Sequence, residues 1–74
     1  MKTVEKVFLP DGLQSIEAGC FWHCERLAEV HVPASCTEIE EYAFLDCTHL
    51  TIFAPEGSEA EQYAKENGIR FVAE

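Results

Sequence analysis

The sequence predicts an α/β repeat fold: a solenoid of short parallel strands and short helical turns, closed at its C-terminal end by a capping helix and a strand. Three observations predict it. Apolar and small residues return with a period of 23 positions. Inside each period one stretch alternates between apolar and polar residues, which is strand patterning. After Gly57 the period changes to that of a helix.

The repeat is read by laying the chain over itself. Pro33 repeats Pro10, and the same offset of 23 carries Val7 onto Val30, Leu9 onto Val32 and Ile16 onto Ile39. It also carries Phe21 onto Phe44, Cys24 onto Cys47, Leu27 onto Leu50, and Val4 onto Leu27. Leu13 falls on Cys36 and Cys20 on Ala43, again small or apolar. A chance overlay does not hold its phase across a whole unit. A third pass begins at Leu50 with a slip to 22, so that Ile52, Ala54 and Pro55 follow Val30, Val32 and Pro33. The expected organisation is one domain over residues 1–74, with units of about 4–26 and 27–49, a partial unit 50–57 and a cap 58–74.

Each element has a local reason. In Glu29-Val30-His31-Val32-Pro33 the two valines face one way and His31 the other, and the proline ends the ladder. Glu40–Phe44 is short and is expected to make one helical turn that drives Phe44 inward. Ser58 and Glu61 have the spacing of a capping box, in which serine accepts from a backbone N–H and the glutamate reaches back. Ala60, Tyr63, Ala64 and Asn67 then share one helical face, and Gly68 stands where a left-handed C-terminal residue belongs. Ile69–Val72 has strand character. Terminal repeats are atypical because they close the apolar end of a stack, and residues from Ser58 onward suit that role.

The pattern Leu27-x-x-Val30-x-Val32-Pro33-x-x-Cys36-x-x-Ile39-x-x-x-Ala43-Phe44-x-x-Cys47-x-x-Leu50 resembles the BspA-type leucine-rich repeat. That family carries an Ile-Pro step, an Ala-Phe step and a following Cys in a unit of the same length. The tail from Gly57 to Ala73 resembles the closing segment of such arrays. The resemblance implies a leucine-rich-repeat solenoid used for protein–protein interaction or adhesion, on a bacterial surface or secreted, and not an enzyme. The alternative is a structural capping fragment of a longer surface protein whose activity lies elsewhere. Two departures are Cys36, where a branched aliphatic is usual, and Cys20, which replaces the alanine before Phe21.

Charge narrows the partners further. Five Lys+Arg against fourteen Asp+Glu give a net charge of −9, which repels phosphate backbones and anionic lipid. Nucleic acid is therefore not expected as a partner. No apolar run approaches the ~18 residues of a membrane span, and the opening residues lack the apolar stretch of a secretory leader. Membrane insertion is not expected.

Cys20, Cys24, Cys36 and Cys47 with His23 and His49 raise the question of zinc, but no C-x2-C pair is present. The repeat assigns all four cysteines to the interior, so a ladder of buried reduced thiols is expected, with a disulfide as the next alternative. No catalytic group, metal or cofactor is expected. Trp22 and Tyr42, beside the two Phe steps, read as partial core.

The candidate binding surface is the outward face of the sheet. Phe8, His31 and Phe53 are the middle outward residues of three successive strands, and would form an exposed aromatic row flanked by Lys6, Glu29 and Thr51. The partner is expected to be a protein. A second copy is also expected, because the first coil lacks a neighbour on one side; a two-fold dimer through the N-terminal coil would supply one.

Overall fold

The structure, a computed structural model, describes residues 5–21 and 24–74. Val4, Trp22 and His23, named above, lie outside the described residues. Four strands form one sheet and two form another. Strands β1 (Glu5–Phe8), β3 (Leu27–His31), β5 (Thr51–Ala54) and β6 (Arg70–Ala73) make the larger sheet in that order. Strands β2 (Ser15–Ile16) and β4 (Glu38–Ile39) make the smaller. All the pairings are parallel. Helix α1 (Glu59–Glu66) lies between β5 and β6 in the chain.

The sequence period is the pairing register. Val7 pairs Val30 and Ile16 pairs Ile39, an offset of 23 in both sheets. Val30 then pairs Ile52 at the slipped offset of 22. The turns repeat as well. Each proline carbonyl accepts from the N–H three residues on: Leu13 to Pro10, Cys36 to Pro33 and Ser58 to Pro55, at 3.1–3.2 Å. Proline has lost its donor but keeps its acceptor, so it ends the ladder and starts the corner. Gly12 N–H donates to Ser35 Oγ at 3.0 Å, and Ser35 Oγ donates to the Leu13 carbonyl at 2.8 Å, tying two successive corners together.

The core lies between the two sheets and α1. Val30 and Ile52 are fully buried, with Leu27, Leu50, Phe44 and Cys36 around them. Burying one such aliphatic side chain contributes about 1.5–3 kcal/mol. Phe21 stacks on Phe44 at 5.1 Å between ring centres, and Tyr63 of α1 meets Phe44 edge-on at 5.9 Å.

Several expectations are corrected. Residues 40–47 form no helical turn: they make successive tight turns, with Tyr42 (φ 65) and Asp46 (φ 63) in the left-handed region. A left-handed residue interrupts a right-handed helix, so among the described residues α1 is the only helix. Phe44 is buried nonetheless. Glu61 reaches back to the N–H of Gly57, at 2.6 Å, while the Ser58 N–H donates to the Pro55 carbonyl. The forward half of the capping box holds, since Ser58 Oγ accepts from the Glu61 N–H at 3.3 Å. Asn67 is exposed, because it is the C-cap; its side-chain amide donates to the Tyr63 carbonyl. Gly68 (φ 68) follows in the left-handed conformation, and the Ile69 N–H closes onto the Ala64 carbonyl at 2.8 Å. The structure is an α/β repeat of parallel strands with one helix. With little more than two units it displays no solenoid.

Candidate functional site

Strand alternation turns Val7, Val30, Ile52 and Phe71 toward the core, and so turns their neighbours outward. Two rows result. Phe8, His31, Phe53 and Val72 are register partners across the four strands, as are Lys6, Glu29, Thr51 and Arg70. All six residues expected at the site lie on this face. Sequence reasoning missed Val72 and Arg70. Their signal is weak, because α1 intervenes and the offset from Phe53 to Val72 is 19 instead of 22 or 23.

The first row is a stack of rings. Phe8 lies on His31 with centroids 4.2 Å apart and planes inclined by 10°, and His31 lies on Phe53 at 4.6 Å and 13°. The strand spacing of ~4.8 Å sets this distance. Stacking covers ring faces, which corrects the expectation of a uniformly exposed row: His31 and Phe53 are half-buried, while Phe8, at the end of the stack, is 70% exposed. Val72, at the other end, is also exposed.

Carboxylates hold the central ring. Glu74 Oε1 is 2.7 Å from His31 Nδ1, and Glu29 Oε2 is 3.4 Å from Nε2. Glu29 in turn faces Lys6 at 3.9 Å. Glu74 is carried there by its own N–H, which donates to the Ala54 carbonyl at 2.9 Å. No sequence pattern pairs His31 with Glu74; only the fourth strand brings them together. The face thus presents a flat apolar strip bordered by charges of both signs. It can grip a surface through apolar contact and orient it by ion pairs, and it holds no arranged nucleophile and base.

The four cysteines form no disulfide, and their burial is graded. Cys36 and Cys47 are buried and Cys24 half-buried, but Cys20 is exposed, against expectation. Its equivalent Ala43 lies in a pass flanked by the first pass on one side and α1 on the other, whereas among the described residues Cys20 has a neighbouring pass on one side only. The Cys47 thiol donates to the Phe21 carbonyl at 3.0 Å. Burial pushes the Cys36 and Cys47 thiols above their ordinary value, away from nucleophilic thiolate. Among the described residues no three His, Cys, Asp or Glu side chains group as metal ligands do. Tyr42, expected as partial core, is 61% exposed because its left-handed backbone turns it out of the corner. It lines a groove of about 550 Å³ with Leu45, His49, Tyr63 and Arg70.

Comparison with known families decides the relationship. The model of the BspA type leucine rich repeat region (6 copies) matches residues 1–65. The chain belongs to the BspA-type leucine-rich-repeat family. No curated protein and no solved structure matches it. BspA-type repeats are generally non-enzymatic, are typically associated with bacterial surfaces, and suggest a protein-interaction module. Among the described residues no helix is long and apolar enough to cross a membrane.

Proposed function

We propose that this BspA-type chain is a non-enzymatic protein-interaction module that binds through the outward face of its four-stranded sheet. The observation that carries the reading is the Phe8–His31–Phe53 stack, set on a rigid ladder and left open along its edges. A flat apolar strip ringed by Lys6, Glu29, Thr51 and Arg70 is the composition of an interface: an apolar centre with a polar rim. The 74 residues act as one domain, a short array of repeats whose C-terminal end is capped by α1 and β6. Adhesion at a bacterial surface, or after secretion, is the use that family membership favours.

Peptides selected from a random phage-displayed library against the whole chain test this. We expect Phe53→Ser and Val72→Ser to weaken their binding about tenfold or more, as loss of a central contact does. Gln62→Ala and Glu66→Ala, on the exposed side of α1, should leave it unchanged. Peptides indifferent to Phe53 and Val72 would overturn the assignment. A structural role as the closing piece of a longer assembly is the second reading, supported by the buried contact of Ala60, Tyr63 and Ala64 with the rest of the core. On that reading no selected peptide engages the sheet face.

A further inference from the structure

We propose that the free edge of β1 is a self-recognition surface on which a second copy of this chain docks antiparallel, centred on Val7, to give a two-fold dimer with a continuous sheet. The four-stranded sheet ends at β1, and among the described residues no strand pairs with its other side. The opposite end is differently arranged, because α1 packs against β4, β5 and β6. At the β1 end β2 likewise ends the second sheet, with no strand on its other side among the described residues. Leu9, Leu13, Ile16 and Phe21 line a groove of about 510 Å³ there. Phe8, whose inner face lies on His31, is the most exposed large apolar side chain among the described residues.

Backbone geometry fixes how a second strand can pair. The Glu5 N–H donates to the Arg26 carbonyl and the Leu9 N–H to the His31 carbonyl. Odd-numbered residues of β1 therefore spend their backbone groups on β3, and the N–H and C=O groups of Lys6 and Phe8 point to the open edge. In an antiparallel pair, opposed residues must share a face of the sheet, so the two-fold axis passes through a residue and not between two. Three centres are then available. Centring on Lys6 sets two like charges opposite each other, which is destabilising. Centring on Phe8 opposes Lys6 to Pro10, which has no N–H to donate. Centring on Val7 opposes Lys6 to Phe8 of the second copy, twice over.

That register satisfies what the edge leaves open. Lys6 and Phe8 become hydrogen-bonded pairs across the axis, and each Lys6 ammonium comes within reach of the opposing Phe8 ring, a cation–π arrangement. The two-fold axis is normal to the sheet, so core faces join core faces and the two grooves adjoin. A second copy is favoured over an unrelated strand because the edge is complementary to itself: it presents one cation and one exposed ring two residues apart.

Light scattering coupled to size exclusion on the whole chain, from low to high micromolar, tests the proposal. A monomer–dimer equilibrium is expected. Lys6→Pro removes an N–H that points to the open edge and leaves the β1–β3 ladder its donors, so proline is tolerated there. It should raise the dimer dissociation constant about ten- to a hundredfold, from the loss of two net hydrogen bonds, with an unchanged circular dichroism spectrum. Lys6→Glu keeps every backbone group and should weaken the dimer several-fold by setting a carboxylate against the Phe8 ring. A chain that stays monomeric throughout overturns the proposal. So does a dimer indifferent to both substitutions, which would be built on another surface.

Discussion

The first and second passes of the chain carry the same pattern and are buried to different depths. Val30 is fully buried and Val7 only half. Phe44 is 3% exposed, whereas Phe21, one period earlier, is half-buried. Ala43 is sealed and Cys20 is open. The hydrogen bonds do not differ in this way. Cys20 to Glu17 and Ala43 to Glu40 are the same bond at 3.1 and 3.2 Å. A repeat therefore reproduces its local geometry from its own residues, while its burial depends on having neighbours on both sides.

The largest test of this comparison is the aromatic step. Phe44→Ala should cost about 3–5 kcal/mol in denaturant unfolding, as a truncation in a sealed core. Phe21→Ala, at the same place in the pattern, should cost distinctly less because one side of that ring already meets solvent. Equal losses would break the comparison and would mean that the first pass is sealed in solution, as the proposed dimer would do at high concentration.

A smaller effect is expected at the corner. Gly19 (φ 75) and Tyr42 (φ 65) occupy the same left-handed position one period apart, and the Gly19 N–H donates to the Tyr42 carbonyl. A Cβ built at Gly19 meets nothing within 4 Å, so the cost of Gly19→Ala is conformational alone, about 1 kcal/mol. Tyr42→Gly should gain up to about 1 kcal/mol by relieving the same strain. A loss on Tyr42→Gly would show that the exposed ring contributes packing that the corner needs.

The smallest effect separates the passes by pH. Burial raises the Cys36 and Cys47 thiols and the Tyr63 phenol, in each case as the leading cause. The folded chain then holds these protons more tightly than the unfolded chain does. Their contribution to stability is complete below the ordinary values and is lost as pH rises through the raised ones. Stability measured by denaturant should fall on the alkaline side of the ordinary thiol range, and Cys47→Ala should remove its share of that fall. A pH profile that Cys47→Ala leaves unchanged would contradict the burial of that thiol.

The period of 23, the alternation about Val30 and Val32, and the stop-and-start residues around Pro55, Ser58 and Gly68 are enough to determine an α/β repeat of parallel strands with one terminal helix. They determine, too, that Phe8, His31 and Phe53 share the outward face, because alternation is a local property of an extended chain. The family pattern rests on the same positions, so it was equally legible. What lay beyond the sequence depends on contacts between distant segments. Nothing in the spacing of Glu74 points to His31, which it meets only because β6 pairs with β5. Tyr42 and Phe44 are two residues apart and equally aromatic, yet a single left-handed residue turns one ring out and leaves the other in. Cys20 fits the interior pattern as well as Ala43 does, but a pattern names the side on which a residue lies and not what covers it. Cover is supplied by the next pass of chain, and only the tertiary structure decides where the passes end.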